Sequence, residues 1–456
     1  KLSYQELSWK EIADTFTFAF QPIININTGM CLGVEALLRN WEATGFDSID
    51  DVFNSAYNEN ALYTLDLLLR EKAIQLFKQI PFHEKIKLFY NLDSRSVIMP
   101  NYSQGNTTRL LRKYHVRPGS FVFELSERFK FSCDISSIKM LEKTKTEGFQ
   151  IAIDDFGSGY SGLQLLYHTE PNFVKVDRFF IENIEKDLKK KIFVMKVLNL
   201  VHLLGNAVVV EGVETEDEYL VCKELGCDFV QGYLVQKPML DISELQYQYD
   251  GVLNLIKKSR RSGSSDHRII HEQLEYIQPV ILNKTSMENV FDMFKENSEI
   301  TFFPVVTEDG DPLGLIREKD LKKYVYSKYG KDILLNDCTG KTMKDFITRC
   351  PATEIYKSIE KVLDIFTMDE NSEGIIICEN GKYLGFLTAQ SLLVALNEKN
   401  LAIARDQNPL TKLPGNNSIH EHISDTYYEK KKNYVYVYFD FDNFKPFNDK
   451  FGFRIG

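Results

Sequence analysis

The chain has 456 residues, 43% of them hydrophobic and 26% charged, and a formal net charge of −10. That length suggests two to four domains, with enough apolar material for real cores beneath a soluble surface. The acidic balance excludes general binding of nucleic-acid polymers or membrane surfaces through a basic face, while remaining compatible with acidic metal sites.

No apolar run reaches the ~18–20 residues of a membrane span, and KLSYQELSWK has no signal-peptide core, so a cytoplasmic protein without a membrane segment is expected. The seven cysteines are dispersed and form no CxxC pair, which reads as reduced thiols and not as a disulfide frame or a zinc site.

In chain order, strands are expected at 16–23, 30–38, 86–91, 120–125, 150–154, 173–176, 207–211 and 229–231. Amphipathic helices are expected at 63–79, 138–147 and 190–204, among others. This strand–helix alternation predicts a parallel barrel of about eight strands. The basic, then Ser/Gly-rich KKSRRSGSSDH at 257–267 reads as a solvated linker or exposed turn. Residues 276–400 repeat one unit twice, as helix, strand, turn, strand, helix, with turns at Asp309-Gly310 and Asn380-Gly381. From about Leu401 a helix leads to PLTKLPGN and the strand candidate NYVYVYFDFD.

The strand ends of the barrel carry polar residues with unusual regularity. Glu35 follows MCLGV, Asn91 follows IKLFY, Glu124 follows FVF with Glu127 beyond, and Asp154-Asp155 follows IAI. Lys175 and Asp177 lie in FVKVD, Glu211 and Glu214 follow AVVV, and Gln231 follows DFV. One such residue alone is most often a helix cap or an ion-pair partner. Six strand ends together would crowd carboxylates into one barrel mouth, at a cost that cations relieve. All-oxygen ligands select hard ions, Mg²⁺ or Mn²⁺. In the Asp154-Asp155 doublet one carboxylate can bridge two metals about 3.5–4 Å apart while its neighbour holds the second. The glycines at 157, 159 and 162 allow a bending loop over substrate.

Val34–Arg39 (VEALLR), with ELSE, DDFGSGYSGL, VKVD, VEGVET and QGY in that order, resembles the EAL domain family over roughly residues 10–245. The resemblance implies a (β/α)8 TIM-like barrel that linearises cyclic di-GMP to pGpG. It implies that Glu35, Asn91, Glu124 and Asp154 hold one metal, and that Asp154 and Asp155 serve a second with Glu211 nearby. Lys175 would orient or activate the attacking water, and Glu214 would brace the loop after Asp155. Gln231 would sit behind the site and Arg39 would meet a substrate phosphate. The chain departs from the family at Asp93, where Asn-x-Ser is usual, and at Gly162, where Ser is usual; no implied ligand is lost. The alternative is a non-catalytic cyclic di-GMP receptor.

The duplicated region resembles a CBS-domain pair, an α+β module whose Gly-x-x-Thr-x-x-Asp signature implies adenine nucleotide binding. The first copy, GLIREKD, keeps Asp320 and has Arg317 at the Thr position; the second, GFLTAQS, keeps Thr388 and has Ser391 at the Asp position. A nucleotide is therefore expected at Asp320 with help from Arg317, and a homodimer is expected through apolar faces such as Val290, Phe291 and Phe294. LTKLPGN and FDFDNFKPFNDKFG resemble the opening of an α/β GGDEF domain, implying Asp440 as a metal ligand and Asn448 on guanine. No signature hairpin follows, so no cyclic di-GMP synthesis is expected. The expected organisation is an EAL domain at 1–248, a linker helix at 249–275, a CBS pair at 276–400 and a partial GGDEF domain at 401–456, with the CBS pair or the GGDEF part as regulator.

Overall fold

Short, mostly apolar runs, buried at nearly every residue, build a closed barrel in the computed structural model. The structure describes residues 8–126, 146–159, 162–259, 264–297, 299–325, 342–369 and 372–407, with 413–416, 419–420, 423, 435–437, 439, 442 and 444–451 near the C-terminus. The expected helix at 138–147 falls largely outside them, as do Glu127, Arg260–Gly263 of the expected linker and Asp440.

The barrel strands are β1 (Thr17–Asn25), β2 (Cys31–Arg39), β3 (Lys87–Asn91), β4 (Phe121–Ser126), β5 (Gln150–Phe156), β6 (Phe173–Val176), β7 (Ala207–Val210) and β8 (Phe229–Val230), hydrogen-bonded in that order. The barrel is not wholly parallel: β1 runs antiparallel to both β2 and β8. The short Ile26–Met30 turn requires this, because a parallel partner needs a crossover of a dozen residues or more. Ile23, Leu32, Phe89, Val122, Ala152, Phe173, Val209 and Phe229 form one apolar layer across the interior. Gly33 makes room for it, since a Cβ there would lie 2.7 Å from the Phe89 ring. Helices Leu62–Phe77 and Leu188–Leu203 cover the outside with buried faces that include Leu65, Leu69 and Val201.

The two repeats form separate sheets. β9 (Val280–Ile281), β10 (Phe302–Val306), β11 (Pro312–Arg317) and β12 (Ile347–Thr348) are ordered 12-11-10-9, and β13 (Ala352–Glu354), β14 (Gly374–Glu379) and β15 (Lys382–Thr388) are ordered 13-14-15. Asn380 (φ 53°) and Gly381 (φ 76°) are both left-handed, as a two-residue hairpin turn requires. The first copy turns more widely, with Thr307 N donating to Asp311 O at 2.9 Å. Val290 and Phe294 are buried in the first repeat's own core and Val362 in the second's. Helix Ser264–Gln273 also joins the second core through Ile269 and Ile270, and Asp266 is buried, so this part of the expected exposed linker is packed.

Residues 400–456 form a separate compact unit. Within it, helix Phe444–Phe451 carries Asn448, which is buried. The described residues 435–437 and 439 of the expected strand are not in a strand.

Candidate active site at the barrel mouth

Two residues beyond the apolar layer, every strand directs a polar side chain inward. Ile23 leads back to Gln21 on the antiparallel β1, Phe89 to Asn91, Val122 to Glu124 and Ala152 to Asp154; on β2 it is Gly33, which makes room for the layer beside Phe89, that lies two residues before Glu35. Phe173 leads to Lys175, Val209 to Glu211 and Phe229 to Gln231. The strand repeat of two residues per face makes this a single layer at the barrel mouth. Glu35 is not at a strand end as its sequence context suggests. It lies mid-strand, opposite Gln21, because β2 continues to Arg39 alongside β1 while its β3 pairing stops at Ala36.

Lys175, fully buried, is the hub. Its Nζ lies 2.6 Å from Glu124 Oε1, 2.7 Å from Glu211 Oε1, and 3.0 Å from both Glu35 Oε2 and Asp154 Oδ1. Burial opposes its charge, but these four carboxylates hold the ammonium well above the ordinary lysine range. Asn91 Nδ2 donates to Glu35 Oε1 at 2.9 Å and Gln231 Nε2 to Glu35 Oε2 at 2.8 Å. Burial raises Glu35, but Lys175 and these donors outweigh it, so its carboxyl lies below the usual value. Burial and the neighbouring acids push Glu124 well up, against Lys175, and Glu211 likewise.

Among the described residues, four carboxylates thus share one cation. Glu35, Glu124 and Asp154 present oxygens within 4.8 Å of one another, and Glu124 Oε2 is buried with no hydrogen-bond partner among the described residues. An oxygen-only, partly orphaned donor set fits a hard divalent cation.

The remaining expected residues stand around this cluster. Asp155 is left-handed (φ 55°), and its Oδ2 accepts from Ser126 Oγ at 3.3 Å. Gly157 (φ 96°) lies against Phe180 and has no room for a Cβ. Glu214 pairs with Arg178, while Asp177 caps helix Arg178–Ile181. Arg39 donates to the Leu38 carbonyl at 2.8 Å. In the repeats, Arg317 forms an ion pair with Glu373 at 2.7 Å, so it is not an open phosphate donor in this arrangement. Thr388 and Ser391 both donate to Glu275 Oε1, at 2.7 and 3.0 Å, and Asp320 lies in the first turn of helix Glu318–Val325. Gln21, which accepts from Gln231 at 3.2 Å, was missed by sequence reasoning; its signal is one polar residue inside FAFQPII.

Fold and site together define an eight-stranded TIM-like barrel with an acidic mouth suited to cations. The EAL domain family matches residues 5–238, more than half of the sequence, and the CBS domain family matches residues 277–327. The chain belongs to the EAL domain family. It is 28% identical over 246 residues to cyclic di-GMP phosphodiesterase RocR of Pseudomonas aeruginosa, covering 51% of this chain and 59% of that one. It is 31% identical over 229 residues to cyclic di-GMP phosphodiesterase PA2567 of the same organism, covering 49% and 38%. The chain therefore spans less than two thirds of the length of these relatives. Among solved structures it is similar to a standalone versatile EAL protein from Vibrio cholerae O395 in its c-di-GMP-bound form, at 35% identity, covering 50% of this chain and 98% of that one, with a TM-score of 0.44. No described helix is long and apolar enough to cross a membrane.

Proposed function

We propose that the chain hydrolyses cyclic di-GMP to linear pGpG at the barrel mouth, with divalent cations, Mg²⁺ or Mn²⁺, held by Glu35, Asn91, Glu124, Asp154 and Asp155. The observation that carries this reading is the cluster of four largely buried carboxylates around one lysine among the described residues. The names of the relatives support the substrate. Bound cations would supply Lewis acidity toward water and the phosphate oxygens.

The side chains divide the remaining work. Glu35 is held ionised and in one orientation by Asn91, Gln231 and Lys175. Lys175 is a cation here, so it orients and stabilises and does not accept a proton. Arg39 is the guanidinium for a substrate phosphate. Glu211 lies within the Lys175 cluster, and Glu214 steadies the Arg178 segment against which the glycine loop packs. In the reaction, water oxygen bonds to phosphorus, the P–O3′ bond breaks and a proton goes to the leaving 3′ oxygen, leaving a 5′-phosphate. The repeats are the proposed regulatory module; adenine nucleotide binding there would rely on Asp320 and compete with Glu373 for Arg317. The cytoplasm is the proposed compartment, supported by five buried free thiols among the described residues.

Incubation of the chain with cyclic di-GMP and Mg²⁺ or Mn²⁺ should yield pGpG, and excess EDTA should stop it. Undiminished turnover in chelator would remove the metal-dependent chemistry. Binding without turnover would favour a receptor.

A further inference from the structure

The barrel has a second polar layer at its floor, and the repeats complete it. Lys87, the first residue of β3, is buried with its Nζ 3.1 and 3.2 Å from the two oxygens of Asp311 in the first repeat. Asp228, just before β8, is 2% exposed. Its Oδ2 accepts from Val208 N of β7 at 2.8 Å and lies 2.7 Å from His202 Nε2, while Lys357 of the second repeat lies 2.9 Å from Oδ1.

These contacts hold the near ends of strands whose far ends carry the mouth. Lys87 and Asn91 are the two ends of β3, about 13 Å apart at ~3.3 Å per residue. Val208 is three residues before Glu211, and Asp228 three before Gln231. One carboxylate, Asp228, thus ties β7 to β8 beneath two of the polar residues of the mouth.

We propose that Lys357 and Asp311 are positioning residues for the mouth, fixing β7, β8 and β3 through Asp228 and Lys87, so that the repeats set how well the mouth holds a divalent cation. This rests on the metal-dependent reading above. Burial keeps His202 low, Asp228 opposes this, and Lys357 and Lys361 reinforce it; Glu354 is the other acid beside Asp228. Lys357 is the permanent cation beside Asp228, 2.9 Å from its Oδ1, with His202 on the other oxygen. Without it, a buried carboxylate faces a neutral imidazole, and either the strand ends shift or His202 takes up a proton.

The test is Mn²⁺ affinity of the full chain by calorimetry, without substrate, at pH 6 and 8.5, with folding checked by circular dichroism. Lys357→Met should weaken Mn²⁺ binding about tenfold relative to wild type at pH 8.5, within the range of coupling between distant sites. The ratio should shrink at pH 6, where His202 can supply the missing charge. Lys357→Arg should stay within about twofold of wild type, because it keeps a positive charge beside the buried Asp228. A folded Lys357→Met with wild-type affinity at both pH values would overturn the proposal. If that variant fails to fold, Asp311→Asn puts the same question through β3: weakened Mn²⁺ binding supports the proposal and unchanged binding overturns it. A wild-type chain that binds Mn²⁺ and hydrolyses cyclic di-GMP alongside unaffected variants defeats only this inference. A wild-type chain that does neither defeats the reading it rests on, and this inference with it.

Discussion

At Lys175 the balance of charge decides the chemistry. One ammonium cannot neutralise Glu35, Glu124, Asp154 and Glu211, so burial and mutual repulsion push Glu124 and Glu211 up until protons supply the missing positive charge. The folded chain binds these protons more tightly than the unfolded one. Their contribution to cation-free stability is fully present below about pH 4.3, the ordinary Glu value, and is lost as pH rises through the raised folded values. A divalent cation displaces the protons, so its affinity should rise with pH over that window. Glu124→Gln removes a buried charge and a ligand together. In EDTA at pH 8 it should melt above wild type by about 2–4 °C, the shift that roughly 1 kcal/mol produces in a domain of this size, and it should lose most of the stabilisation that Mn²⁺ gives. Scanning fluorimetry with and without Mn²⁺ measures both; a Glu124→Gln protein that melts lower in EDTA would show that Lys175 alone compensates the carboxylate and that no divalent cation is needed there. Much of this was legible in the sequence, because a charge pair such as Asp154-Asp155 at the end of IAI has few structural uses. Gln21 was not, since an amide in an apolar run looks like an ordinary buried side chain until the strand is paired with Glu35.

Short apolar runs located all eight barrel strands to within about two residues, but they carry no direction. FAFQPII and CLGVEALLR read alike whether their strands run parallel or antiparallel, and only the length of the Ile26–Met30 turn distinguishes them. Treating Glu35 as a strand end followed from the same blindness, since the apolar run after it also pairs with β1. At the other end of the mouth, β5 carries a left-handed Asp155 one residue before its end, a conformation that sequence alone suggests only through the glycines that follow. Asp155→Gly should keep the turn and the denaturation midpoint near wild type. Asp155→Val should cost about 1–3 kcal/mol, because a β-branched residue is strained there. Both lose the carboxylate, so turnover should fall in each by at least the ~10–100-fold that loss of an outer-shell metal partner costs. Denaturant curves beside steady-state rates separate the two effects. Near-normal turnover in Asp155→Gly would make this carboxylate a turn residue only.

Across the whole 8–399 region, the least legible feature is how the repeats meet the barrel floor. The duplication was plain from two matching helix–strand–turn–strand–helix units. The partners Lys87 and Asp311 are 224 residues apart, and Asn25 and Glu354 are 329 apart; no local pattern couples charges at such separations. Glu354 shows what the junction stores. It is 3% exposed and accepts from Asn25 Nδ2 at 3.2 Å, Asn380 N at 2.9 Å and Gly381 N at 2.7 Å. Burial and the neighbouring Asp228 nonetheless push its carboxyl up to about 7, against those donors. The folded protein therefore holds a proton here that the unfolded chain releases near pH 4.5. The stability this gives is complete below that value, declines as pH rises to about 7 and is flat above, a change of about 3 kcal/mol at 1.36 kcal/mol per pKa unit. Glu354→Gln cannot titrate. Its amide group meets backbone N–H donors unfavourably, but that penalty is the same at every pH. Relative to wild type, the variant should therefore gain stability steadily between pH 5 and 7 and no further at pH 8. Urea midpoints of both proteins at pH 5, 6, 7 and 8 measure the difference directly, and parallel curves across that range would mean that Glu354 is ionised in the folded protein throughout.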